Sequence, residues 1–148
     1  ADYAINRYRT QKSLKMTRSE VKRDLKDSEG DPVLKMRRRR LASEISRNRM
    51  ISDVGRADVV VTNPTHIAIA LRYDPNEPAP RVVARGAGAL AERIKAEARR
   101  HGVFVTENKP LARALYRSCK VGQFIPSSLY EAVAVVLATA FRRRGWAA

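Results

Sequence analysis

The sequence predicts an α/β fold: a small, mainly four-stranded sheet packed with helices, behind a basic helical lead-in. Three observations carry this. Short β-branched runs with a period of two alternate with longer segments whose apolar residues recur every three to four positions. Gly- and Pro-containing breaks separate these runs cleanly, including "DPNEPAP" at 74–80, where three prolines in seven residues require a loop. The 148 residues and 44% hydrophobic content suffice for one domain with a real core.

Taken in order, residues 1–16 show no sustained period and read as a basic lead-in. Thr17 and Glu20 form a capping box, and Val21 and Leu25 then share a helix face. Gly30 ends that helix, and Asp31 and Pro32 start a second, which runs to about Met50 with Leu34, Leu41 and Ile45 on one stripe. "DVVVT" (58–62) is a strand covered on both faces. In "THIAIALRY" (65–73), Ile67, Ile69 and Leu71 alternate with Ala68 and Ala70, and "RVVARG" (81–86) is a third strand. A helix follows with Leu90, Ala91, Ile94 and Ala98 inward, ended by Gly102. "VFVTE" (103–107) is the fourth strand. Pro110 opens a helix carrying Leu111, Leu115 and Tyr116. A last helix places Leu129, Val133, Val136, Leu137 and Ala140 on one face. Phe104, Tyr116 and Tyr130 fall where a core wants aromatics. The division expected is a partly helical linker over 1–56 and a compact α/β domain over 57–148.

The charge is +15, from 30 Lys and Arg against 15 Asp and Glu. Residues 1–63 hold 16 basic and 9 acidic side chains and residues 64–148 hold 14 and 6, so the excess is spread over both halves. Such a chain favours anionic partners: nucleic acid, an acidic protein face or a phospholipid surface. Aromatics are only 6%, and no RNP, zinc-finger or Gly-rich phosphate motif is present, so a nucleic-acid module lacks its usual stacking groups. Arg37, Arg38, Arg39 and Arg40 point around most of a helix circumference and read as a solvated basic helix, with contact to an anionic surface as the alternative. Cys119, the single cysteine, excludes an internal disulfide and reads as a small buried residue on a helix. Two histidines and one cysteine assemble no zinc set, and no cofactor is expected. The apolar run "AVAVVLATAF" is too short to span a membrane. The first residue is Ala, which makes a piece of a longer protein the expectation.

One pair stands out. Asn63 directly precedes Pro64, straight after a run of valines. The common route of asparagine decay, attack by the following backbone nitrogen, is closed because proline nitrogen has no N–H. What remains is attack by the Asn63 side-chain nitrogen on its own carbonyl carbon, expelling the Pro64 nitrogen. Such a bond is poised for scission, yet the amide is a poor nucleophile and needs held geometry. His66 can accept a proton or polarise the site, and Thr65 can hydrogen-bond within the turn. The plainer alternative is an ordinary β-turn, with His66 a half-buried strand residue.

The blocks "MTRSEVKRDLKDSEGDP" (16–32), "NPTH" (63–66), "VVARGAG" (82–88), "ENKPLARALYRS" (107–118) and "GQFIPSSLYEAVAVVLA" (122–138) together resemble the cytoplasmic domain of the substrate-specificity switch proteins of bacterial type III export. "GAGALAERI" and "SLYEAVA" lie closer to the flagellar branch than to the injectisome one, although the short ending "RRRGWAA" departs from longer flagellar tails. The resemblance implies autocatalytic scission between Asn63 and Pro64, a single event without turnover, with Thr65 and His66 supporting the turn. It implies a transmembrane domain before residues 1–56, a location at the cytoplasmic face of the inner membrane, and pieces 1–63 and 64–148 that stay associated. Its implied partners are other export-apparatus proteins, secreted substrates and a length-control protein. A basic nucleic-acid-binding module with an ordinary Asn–Pro turn is the reading from another class.

Overall fold

The computed structural model describes residues 30–145. The capping box at Thr17 and Glu20 and the helix expected after it lie outside the described residues. Helix α1 spans Pro32–Asp53. Asp31 starts it: its carboxylate accepts the Val33 N–H at 2.9 Å, and Pro32 occupies the first position, where a missing N–H costs nothing. The helix runs three residues past the expected Met50, because nothing in "ISD" breaks it. The stripe of Leu34, Leu41 and Ile45 is exposed, and no residue of α1 is buried. The chain divides into two compact units, Ala1–Ile45 and Ser46–Ala148, and α1 contributes to both.

In the second unit a short 3-10 turn, Val54–Arg56, leads into β1 (Val59–Asn63). Then follow β2 (Ile67–Arg72), β3 (Arg81–Ala87), α2 (Ala89–Arg100), β4 (Phe104–Glu107), α3 (Lys109–Ser118) and α4 (Tyr130–Arg143). The sheet order is β3-β2-β1-β4. β1 is therefore internal, antiparallel to β2 and parallel to β4. All five of its residues are buried, as a β-branched run with no polar face requires.

Alternation along the strands decides what covers each face. Val59, Val61, Ile69, Leu71 and Val82 pack with Leu111 and Leu115 of α3 and Val133, Leu137 and Ala140 of α4. Val60, Ala68, Ala70 and Ala84 face Ala91, Ile94 and Ala98 of α2. The small alanines of β2 let α2 approach closely, and Gly86 extends this: a Cβ there would lie 2.6 Å from Leu90 Cγ. Three layers result, helix on sheet on helices.

Two details differ from expectation. Tyr130 is 45% exposed, because it is the first residue of α4 and the packed face begins at Val133. Cys119 is buried, as expected, but as the residue closing α3. Burial raises its thiol pKa above 9.0, and the Arg85 charge partly opposes this. Arg85 donates to the Tyr116 and Cys119 carbonyls at 3.0 and 2.6 Å and lies over the Tyr116 ring, so it satisfies the open end of α3.

Candidate functional site

The sheet presents the Asn63–Pro64 bond at the closed end of the β1–β2 hairpin. Asn63 pairs with Ile67, leaving Pro64, Thr65 and His66 as the connection. The His66 N–H donates to the Asn63 carbonyl oxygen at 3.0 Å, closing a four-residue β-turn. Pro64 takes the second position, which its fixed φ suits. Thr65 takes the third with φ 69°, the mark of a type II turn. Glycine or asparagine favours that position. Thr65 is the only described non-glycine residue with positive φ. A β-branched residue there is strained, and the fold must hold it.

The restraint comes from both flanks. On the β2 side, Gly88 N–H donates to the His66 carbonyl at 2.9 Å. On the β1 side, Asn108 N–H donates to the Thr62 carbonyl at 3.0 Å, and Thr62 Oγ1 donates to the Thr106 carbonyl at 3.3 Å. Asn108 also caps α3, its side chain accepting the Leu111 N–H at 3.2 Å. One residue thus ties the start of α3 to the end of β1. The turn is clamped by elements as distant in sequence as β4 and the entry to α2.

Asn63 is 5% exposed while Thr65 and His66 are exposed and Pro64 is half-buried. His66 is therefore a turn residue at the surface and not a half-buried strand residue. The Asn63 carbonyl carbon is the electrophile in a cyclisation, and its oxygen already receives a backbone N–H. A donor in that place stabilises the oxyanion that forms when the carbonyl carbon is attacked.

Asn63, Pro64, Thr65 and His66 are thus gathered in one turn. Arg37–Arg40 are exposed on α1 and belong to the other compact unit. Among the described residues no group of three or more His, Cys, Asp or Glu is placed to hold a metal, and no helix is long and apolar enough to cross a membrane. The supporting residues Thr62, Gly88 and Asn108 were not singled out from sequence. Gly88 and Asn108 act through backbone N–H groups and Thr62 through its carbonyl, with the Thr62 hydroxyl and the Asn108 side-chain cap adding to these, and no local sequence pattern announces such contacts.

Comparison with known proteins places the chain among its relatives. The FlhB HrpN YscU SpaS Family matches residues 1–140. The flagellar biosynthetic protein FlhB of Helicobacter pylori is 48% identical over 137 residues, covering 93% of this chain and 38% of that protein. The chain thus spans well under half the length of that relative. The crystal structure of the cytoplasmic domain of FlhB from Shewanella putrefaciens superposes with a TM-score of 0.63 at 39% identity, covering 68% of this chain and 81% of that one. A crystal structure of the EscU C-terminal domain, with an asparagine replaced by alanine, superposes with a TM-score of 0.60 at 36% identity, over 62% of this chain and 92% of that one.

Proposed function

This chain belongs to the FlhB HrpN YscU SpaS family, and on that premise we propose that it is the cytoplasmic part of a flagellar-type protein-export component that severs its own backbone between Asn63 and Pro64. The observation that carries the reading is the Asn63 carbonyl itself. It lies in a turn strained at Thr65 (φ 69°) and accepts the His66 N–H at 3.0 Å.

In the proposed step Asn63 Nδ2 attacks the Asn63 carbonyl carbon. A C–N bond forms within a five-membered ring, and the negative charge develops on the oxygen facing the His66 N–H. The tetrahedral centre then collapses, the bond to Pro64 breaks, and the proton lost from Nδ2 ends on the Pro64 nitrogen. The products are a piece ending in a succinimide at Asn63 and a piece beginning with the secondary amine of Pro64. No water, cofactor or second molecule enters. His66, exposed beside the bond, is assigned the proton transfer, and Thr65 the strain released when the turn opens. Because the attacking group is consumed, the event happens once per chain and is not enzymatic turnover.

β1 lies inside the sheet, hydrogen-bonded on both edges, so the piece 1–63 stays bound after the cut. What changes is the turn, which becomes two free ends on the surface. That change is the proposed switch from one class of export substrate to the next, from rod and hook to filament type, with other export-apparatus proteins, the substrates and a length-control protein as partners. Residues 1–56 then form the linker from a transmembrane domain, and 57–148 the autocleaving domain. Arg37–Arg40 face the anionic cytoplasmic surface of the inner membrane.

Intact mass and a denaturing gel on the wild-type chain beside Asn63→Ala test the chemistry. Two pieces that meet between Asn63 and Pro64, absent from the variant, are the expected result. A single uncut chain in both after prolonged incubation at neutral pH overturns the reading and leaves the motif as a turn.

A further inference from the structure

The end of β1 opposite the turn carries a polar cluster that the scission chemistry does not use. Asp58 lies just before the strand, and each of its groups is engaged. Its Oδ2 accepts the Tyr73 N–H at 2.7 Å, its N–H donates to the Leu71 carbonyl at 2.8 Å, and its Oδ1 accepts from Arg144 Nη1 at 3.0 Å. Arg144 Nη2 donates to the Ala57 carbonyl at 3.1 Å and the Asp58 carbonyl at 3.4 Å. The guanidinium thus grips both the side chain and the backbone of the strand's entry, with the two ends of its planar fork. The Asp58 side chain is 14% exposed and that of Arg144 32%, so the pair is partly withdrawn from water. The Tyr73 ring lies 6.0 Å from that of Phe141, which brings the end of β2 against the end of α4.

Every bond in this cluster joins a residue before position 63 to one after it. Ala57 and Asp58 are on one side of the scissile bond, and Leu71, Tyr73 and Arg144 are on the other. In an intact chain the arrangement is redundant, since the β1–β2 connection already holds the strands together. Once that connection is cut, the hairpin loses its covalent tie at the Asn63 end, and β1 can fray from there. The cluster sits at the far end, where fraying would have to finish.

We propose that Asp58, Arg144 and the Tyr73 N–H form a clasp that retains the severed N-terminal piece and fixes its register. The partner this surface of the 64–148 piece fits is an apolar, β-branched strand with an acidic residue immediately before it, here "DVVV". The proposal rests on the scission proposed above, and it makes residence of the 1–63 piece a property of a few polar groups remote from the cut. The hydrophobic residues of β1 supply the burial; the clasp decides how fast the piece leaves.

The test uses the full chain with a C-terminal affinity tag, severed in two ways: by itself, and by a protease whose recognition sequence is inserted between Pro64 and Thr65. Loss of the 1–63 piece from immobilised protein is followed with time in 0.15 M salt. Asp58→Asn and Arg144→Met are expected to shed it about 10- to 100-fold faster, the loss of charge-assisted bonds to a partly buried group. Arg144→Lys, which keeps the charge without the fork, is expected in between. Arg143→Met, whose guanidinium stacks over Phe104 within the C-terminal piece, leaves the rate unchanged. Cooperative melting of each variant in the uncut Asn63→Ala chain shows that it folds. Release at the wild-type rate by both Asp58→Asn and Arg144→Met, after either cut, overturns the clasp. A chain that never cuts itself, but whose protease-cut form sheds the piece faster when the clasp is altered, overturns the scission reading alone.

Discussion

Replacing Thr65 tests whether the turn's strain contributes to scission. At φ 69° a β-branched residue stores about 1–2 kcal/mol relative to a residue that accepts the left-handed region. Asparagine occupies that region several-fold more often than other non-glycine residues and has no branched Cβ. Thr65→Asn should therefore stabilise the uncut fold by about 1 kcal/mol, measured by urea unfolding in the Asn63→Ala background. If opening the turn releases this strain on the way to the transition state, the cut slows. A 1.4 kcal/mol change is tenfold in rate, so partial release gives about a 3- to 10-fold slower appearance of the two pieces on a denaturing gel. Thr65→Gly should slow it as well, with added flexibility lowering the population of the attack geometry. Thr65→Asn that gains the expected stability but cuts at the wild-type rate would refute the reasoning, because the strain would then be present and unused.

Arg85→Met keeps the aliphatic stem but removes two charge-assisted bonds to the Tyr116 and Cys119 carbonyls, so the uncut chain should lose about 2 kcal/mol in urea unfolding; a loss below about 0.5 kcal/mol would contradict the cap assigned to it. Cys119 has a folded-state pKa raised by burial, so its contribution to stability is full below the unfolded value near 9.0 and is lost as pH rises above it. Cys119→Ala should therefore flatten the fall in stability above pH 9, and equal slopes in both proteins would show that the thiol does not titrate differently on folding. Changing Arg37–Arg40 to Gln should weaken binding to anionic vesicles at about 1 kcal/mol per arginine near the surface, as followed by co-sedimentation. Unchanged binding would remove the membrane contact.

Much of the fold was legible in the sequence because its strands and helices keep their periods. The alternation of Ile67, Ile69 and Leu71 with Ala68 and Ala70 anticipated two differently covered faces, and the large and small residues sort onto them as expected. α1 reads less well. Its Leu34, Leu41 and Ile45 have helical spacing, but spacing reports that a face exists and not that anything covers it. Tyr130 shows a related limit, since an aromatic one turn before the packed face is invisible to a period count. At the turn, Asn63 and Pro64 announce a bend between strands. The positive φ of Thr65 could not be read, because threonine is among the residues least expected there. The Asp58–Arg144 pair, separated by 86 residues, leaves no local pattern at all. Such contacts are set by topology, which brings the start of β1 and the end of α4 together only in the finished fold.

The parallel pairing of β1 with β4 imposes an order in time. Val59–Thr62 cannot complete their hydrogen bonds until Phe104–Glu107 have been made and have crossed over by way of α2. The Asn108 N–H that restrains Thr62 comes later still in the chain. A nascent chain that has emerged only through the β1–β2 hairpin has the scissile bond but not its supports, and an isolated hairpin is marginal in water. Under the proposed chemistry the cut therefore waits for non-local folding. Under that chemistry a misfolded or truncated copy would keep its backbone whole, and scission would certify that the domain has been built.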